Sequence, residues 1–333
     1  MSNPKKGLAL IIANADYQSQ PKLLSCKKDG DDMAAKLNEL NFDVLYYSDT
    51  TRTDILNAIS EFIKLADCYS VLVMYYTGHG VQIDGENYFV PIECTYNPVK
   101  SVFIAASLIN VDTITAYMNS HEEKTNILIL DACRNGLSFS RDMTGAGLAE
   151  ISAGNGTLVA FATAPNTSAM CDDSADGNGY YTKRLLEHID HPNIRIEEMF
   201  KMVRKDVVKD TGGQQVPWES TSLSHDFYFS TLTQDEINEQ IYQDIRNNYS
   251  TETFINLSQH FGYTISDIMR IYQRQKSEKP GGIYFSNEES FEHFITEQIL
   301  SLKFEFKNFR WVYKDCPVMM GDLQHNLTVK LSI

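Results

Sequence analysis

Val71-Leu-Val-Met-Tyr-Tyr-Thr-Gly-His79-Gly80 and Asn126-Ile-Leu-Ile-Leu-Asp131-Ala-Cys133-Arg134 are the two stretches whose reading decides the fold. Each is a short run of apolar and β-branched residues without a polar alternation, the pattern of a strand buried on both faces. Each run also delivers a chemically active side chain, expected just past the C-terminal end of its strand. Open α/β sheets bind their ligands at that end. A histidine and a cysteine brought there together argue for a thiol nucleophile with its base, because the thiolate is the attacking form and an imidazole can take the thiol proton.

Outward from these runs, strand and helix signals alternate from residue 7 to about 230. Leu8 to Ala13 reads as the first core strand, too short for a membrane span. A helix over Asp29 to Leu40 carries Met33, Leu37 and Leu40 at helical spacing, and Phe42 to Tyr47 reads as a second strand. Thr53 is placed as the cap of a helix whose inner face is Ile55, Ile59, Phe62 and Ile63. Val81 to Pro91 reads as a hairpin turning at Asp84-Gly85. A strand over Thr157 to Ala162 and helices over Tyr181 to Ile189 and Ile196 to Val208 complete the alternation. Such a pattern predicts an α/β domain, residues 1–230, with a mainly parallel sheet flanked by helices.

Residues 231–333 change character. Thr233 and Glu236 form a capping-box pair ahead of Ile237, Ile241 and Ile245. Ser266 is the expected cap of a further helix, Lys279-Pro-Gly-Gly282 a breaker, and Leu302 to Phe306 and Leu327 to Leu331 read as strands. This is a small α+β appendage, expected to regulate or to bind a partner or substrate.

Of 333 residues, 43% are hydrophobic and 22% charged, ordinary for a globular chain. The net charge of −15 disfavours nucleic acid as a partner, since phosphate binding needs a cationic face. It suits a basic substrate. Six cysteines without a C-x-x-C pair and without zinc-ligand spacing to a histidine read as reduced thiols of a cytoplasmic protein. No metal ligand set is assigned and no cofactor is required. Asp172, Ser174 and Asp176 before Gly177 resemble the start of a calcium loop, but Lys183 stands where its bidentate Glu belongs, so an acidic loop is the better reading and a calcium dependence stays open.

The wording around the two strand ends resembles the caspase-like cysteine peptidases, the group of caspases, metacaspases and paracaspases. Tyr76-Thr-Gly-His-Gly80, Asp131-Ala-Cys-Arg134, Phe161-Ala-Thr-Ala-Pro165 and Val216-Pro-Trp-Glu-Ser-Thr-Ser-Leu223 match in order, over about residues 5 to 230. Arg134-Asn-Gly after the cysteine is nearer to paracaspase and bacterial orthocaspase-type members than to many metacaspases. The resemblance implies a caspase-hemoglobinase fold, with Cys133 as nucleophile and His79 as general base and acid. The backbone N–H groups of Gly80 and Cys133 are the candidate oxyanion donors, glycine letting a substrate approach the main chain closely. No third catalytic residue is marked.

Within that family, acids in the specificity pocket go with cleavage after Arg or Lys. Asp29 and Asp131 stand where the basic-specific branch carries pocket acids, and Asp172 is the nearest match to a third. A desolvated guanidinium requires such carboxylates. Read without the resemblance, Asp131 also fits a turn and Asp29 a helix N-cap. Arg134 to Gly154 reads as a loop in which Arg141 is a candidate self-cleavage site. The expectation is an endopeptidase acting on protein or peptide substrates with a basic residue before the cut, in regulated proteolysis such as cell death or defence. The alternative is a catalytically weak signalling scaffold that recruits partners through its C-terminal region.

Overall fold

Successive residues of the central strands point to opposite faces of the sheet, and in this chain both faces are apolar. In the computed structural model, Ala9, Ile11, Val73, Tyr75, Ile127, Ile129, Leu158 and Ala160 belong to one buried cluster, while Leu8, Leu10, Ile12, Leu72, Met74, Leu128, Leu130 and Val159 belong to another. A sheet greasy on both sides must be covered by helices on both sides. The residues described are 5–94, 96–97, 102–103, 105–133, 148–164, 177–248, 250–278, 305–307, 310–313 and 316–318.

In chain order the elements begin β1 (Gly7–Ala13), α1 (Leu24–Glu39), β2 (Phe42–Ser48), α2 (Arg52–Ala66), β3 (Val71–Ile83) and β4 (Glu86–Phe89). Three short strands and a helix follow: β5 (Tyr96–Asn97), β6 (Val102–Phe103), β7 (Ile109–Asn110) and α3 (Asp112–Asn119). Then come β8 (Thr125–Cys133), β9 (Thr157–Phe161), α4 (Tyr180–His188), α5 (Ile196–Asp210) and β10 (Trp218–Thr221). The main sheet has the order β10-β9-β8-β3-β1-β2, parallel except for β10 at its edge. Helices α1, α4 and α5 supply Met33, Leu37, Leu185, Phe200 and Val203 to the first cluster; α2 and α3 supply Ile55, Phe62, Ile114 and Met118 to the second. From β1 the chain passes to one side for β2 and to the other for β3. A switch point therefore lies between the C-terminal ends of β1 and β3, where open sheets leave a crevice.

Three local expectations are corrected. His79 is not past the end of its strand, because β3 runs on to Ile83 as one arm of the hairpin with β4. What ends near His79 is the parallel pairing: β3 pairs β1 as far as Thr77 and β8 as far as His79, then β4 from Gly80. The turn itself is at Asp84-Gly85, with φ of 52° and 87°, the left-handed pair that a two-residue hairpin demands. Helix α1 begins at Leu24, five residues earlier than apolar spacing predicts, so Asp29 lies inside it rather than at its N-cap. Helix α2 is capped by Thr51, whose side chain accepts from the Asp54 N–H while Asp54 bonds back, rather than by Thr53.

The described residues fall into two compact units, one within Met1–Asp190 and Ile194–Ser230, the other within His191–Asn193 and Thr231–Ile333. The second contains α6 (Gln234–Asn247), α7 (Thr251–Phe261), α8 (Ile265–Glu278), β11 (Glu305–Lys307), β12 (Arg310–Tyr313) and β13 (Cys316–Val318). Thr233 and Glu236 form the capping box of α6 as the sequence reading has it. Thr264, not Ser266, caps α8: its hydroxyl accepts from the Asp267 N–H at 3.1 Å. Ile237, Ile241, Ile245, Phe254, Leu257 and Ile268 form the core of this unit. The three short strands make an antiparallel sheet, and residues 327–331 lie outside the described residues. No helix among the described residues is long and apolar enough to cross a membrane.

Candidate active site

Cys133 is the last residue of β8, and its Cα partner in the parallel ladder is His79 on β3. Neighbouring strands lie about 4.8 Å apart, so the backbones of the two predicted reactive residues are adjacent. His79 is fully buried. Its Nε2 lies 2.8 Å from the carbonyl oxygen of Pro21. A carbonyl can only accept, so in the neutral ring Nε2 carries the proton and Nδ1 carries the lone pair. The backbone of His79 is held equally firmly: its N–H donates to the Tyr17 hydroxyl at 2.7 Å and its carbonyl accepts from the Tyr76 hydroxyl at 2.7 Å. The Tyr17 ring also lies against the imidazole, with centroids 4.4 Å apart. Gly78 makes room for this grip, since a Cβ there would stand 2.7 Å from the Tyr17 hydroxyl and 2.8 Å from that of Tyr76.

Pro21 and Tyr17 come from the loop between β1 and α1, across the switch point. The loop is braced by two side chains that pattern reading passes over. Asn14, buried at the end of β1, donates to Val90 O and accepts from the N–H and hydroxyl of Thr50. Asp49 accepts from the N–H groups of Ala15 and Asp16 at 2.9 and 2.8 Å. Asn14 carries the same signal as His79 and Cys133, a polar residue ending an apolar run, and is findable on that ground. The Pro21 carbonyl is not, because a backbone acceptor leaves no mark in a sequence.

Gly80 follows His79 and has Phe89 as its partner on β4. The Val90 N–H donates to His79 O at 3.1 Å, which makes Gly80 and Phe89 a non-hydrogen-bonded pair of that antiparallel ladder. The β4 ladder therefore does not take the Gly80 N–H.

Asp29 and Asp131 arrive from different elements and meet. Asp29 is 1% and Asp131 5% exposed, figures exceptional for carboxylates. Asp131 pairs with Thr77 inside β8, so the turn alternative falls away along with the cap. The Gly179 N–H, just ahead of α4, donates to Asp29 Oδ1 at 2.9 Å, and the Thr182 hydroxyl donates to Asp131 Oδ2 at 2.6 Å. A Cβ on Gly179 would be 3.3 Å from Asp29 Oδ2, 3.8 Å from Asp131 Oδ2 and 3.8 Å from the Ser25 hydroxyl oxygen. The three oxygens thus converge on the place where a side chain at Gly179 would begin. Burial, then the charge of Asp131, pushes the Asp29 carboxyl up to about 8, against the pull of the Gly179 N–H and Asn178; burial pushes Asp131 up to about 6, against its bond from Thr182. Neither acid has an ion pair with a cation among the described residues; Lys28, on the same helix, is paired with Asp32 at 2.8 Å. Two desolvated carboxylates facing each other are stable as anions only with a cation between them. Asp172 and Arg141 lie outside the described residues.

Comparison with known proteins shows the family and the fold. The caspase domain family matches residues 6–228, and the chain belongs to that family of cysteine peptidases. Mucosa-associated lymphoid tissue lymphoma translocation protein 1 of Homo sapiens is 32% identical over 130 residues, 39% of this chain and 15% of that protein. Caspase-1-A of Xenopus laevis is 27% identical over 138 residues, 39% of this chain and 35% of that one. The chain thus spans well under half the length of these curated relatives. A solved pro-sf-caspase-1 structure covers 69% of this chain and 92% of its own, with a TM-score of 0.52 at 16% identity, and shares the fold: a mostly parallel sheet flanked by helices.

Proposed function

We propose that this chain is an endopeptidase that cuts after arginine, and less readily after lysine, through an acyl-enzyme on Cys133. The observation that carries the reading is the pair of buried carboxylates, Asp29 and Asp131, which converge beside Gly179 with neither ion-paired to a cation among the described residues. A guanidinium offers planar paired donors to two carboxylates, and its charge offsets their mutual repulsion. An aspartate beside them would add a third negative charge to two already desolvated.

In the proposed reaction the Cys133 thiol proton passes to His79 Nδ1 as sulfur bonds to the scissile carbonyl carbon. The resulting oxyanion takes hydrogen bonds from the N–H groups of Gly80 and Cys133. On collapse the C–N bond breaks and the departing amine takes the proton back from His79. Water then attacks the thioester, giving its proton to the same nitrogen, and the acid leaves as the thiol re-forms. The Pro21 carbonyl supports this assignment by accepting the Nε2 proton, which steadies the imidazolium between the two half-reactions.

The test is a panel of matched peptides with Arg, Lys or Asp before the cut. Turnover ordered Arg, then Lys, with none after Asp, and lost in Cys133→Ala, is expected. Cleavage after Asp would overturn the pocket assignment, and turnover surviving in Cys133→Ala the mechanism.

A further inference from the structure

The first turn of α4 holds both pocket acids, and nothing in the motifs marks it. Thr182 is fully buried and has one hydroxyl proton, which it gives to Asp131 Oδ2. Its oxygen lies 2.6 Å from the Tyr75 hydroxyl, itself fully buried on β3. With Asp131 ionised, the direction of this chain is fixed: Tyr75 donates to Thr182, and Thr182 donates to Asp131. A hydroxyl that is itself receiving a hydrogen bond is a better donor, so the second link strengthens the first.

Resting on the arginine reading above, we propose that Thr182, backed by Tyr75, is a specificity-positioning residue that sets the orientation of the Asp131 carboxylate and thereby favours arginine over lysine. The argument is geometric. Asp29 is oriented by the Gly179 N–H and Asp131 by Thr182, three residues on along the same turn, so one rigid element sets the spacing of the two acids. A guanidinium is a planar fork whose donors must meet acceptor oxygens at set positions. An ammonium is a compact charge on a flexible stem and follows a carboxylate wherever it points. Loosening Asp131 therefore costs an arginine substrate more than a lysine substrate.

The experiment compares wild type, Thr182→Val and Thr182→Ser on matched Arg and Lys peptides. Valine keeps the shape and removes the hydroxyl; serine keeps the hydroxyl. Thr182→Val is expected to lower kcat/KM on the Arg peptide about tenfold to a hundredfold, the range for a lost hydrogen bond to a charged group, chiefly through KM. The Lys peptide loses less, so the Arg-to-Lys ratio falls, and serine restores it. An unchanged ratio in a folded Thr182→Val overturns the proposal, as does a serine variant that behaves like valine. Should Thr182→Val not fold, Tyr75→Phe decides in its place: the ratio falls if the chain of hydroxyls orients Asp131 and stays if it does not. The two readings fail separately. A wild-type enzyme that cuts after Asp removes the pocket assignment, whereas a wild-type preference for Arg over Lys kept intact in the variants removes only the role of Thr182.

Discussion

At the scale of single residues, burial raises the carboxyls of Asp29 and Asp131, and that ties their protons to stability. A carboxyl raised above its ordinary value near 4 adds to stability only while it keeps its proton. The contribution of Asp29 and Asp131 is complete below about pH 4, and it is lost as pH rises through about 6 for Asp131 and about 8 for Asp29. We therefore expect the Tm of the unliganded protein to fall as pH rises from about 4 to 8, and Asp29→Asn to remove most of that fall. A thermal scan across pH checks it, and a Tm that climbs through this range would contradict the assignment. If the two acids bind the substrate's cation as proposed, the same ionisation favours binding, so KM for an arginine substrate should drop over that range while the stability falls. Asp131→Asn should lower kcat/KM on arginine peptides by about 10²–10³-fold, since breaking one partner of a buried charge contact costs about 3–5 kcal/mol. Assay at fixed pH decides it.

At the scale of elements, α1 is the piece that brings chemistry to the sheet. It follows the loop that supplies Tyr17 and Pro21, and it carries Asp29 inward because Gly30 lets it press on β1. A Cβ on Gly30 would lie 2.4 Å from the Ala13 Cβ and 3.0 Å from the Tyr46 ring. Gly30→Ala gains up to about 1 kcal/mol of helix propensity but overpacks a central strand at about 1–3 kcal/mol, so the clash wins. The variant should lose Tm and raise KM for arginine peptides together, because the helix that moves carries the acid. A Tm raised by the substitution would refute the close contact. The same helix shows why apolar spacing misplaces boundaries. Met33, Ala34 and Leu37 mark its buried stripe, but Ser25 and Asp29 are buried beside them, and polar residues on an inner face break the periodic signal. β3 has the opposite problem. Its continuous apolar run announces a strand, yet nothing in Gly78-His79-Gly80 says that the ladder changes partner there rather than stopping.

At the scale of the whole molecule, the two units draw their cores from separate sets of residues. The sheet clusters draw on β1, β3, β8 and β9; the helical cluster draws on α6, α7 and α8. Phe254, 1% exposed in α7, should cost about 3–5 kcal/mol when cut to alanine. Hydrogen exchange should then quicken in α6 to α8 and stay slow in β1, β3 and β8; equal quickening in all would mean one cooperative core. The sequence by itself determined the alternating α/β order and the strands that present His79 and Cys133, and it singled out Asp29 and Asp131, because these depend on local apolar pattern and on motifs that survive as consecutive letters. Only the tertiary structure decided that the Pro21 carbonyl faces the imidazole, that Asp29 and Asp131 are buried close to one another, and that Gly179 and Thr182 donate to them. Those are contacts between segments far apart in the chain, made through backbone atoms and single hydroxyls, and they exist only once β1, β3, β8 and the two helices are packed.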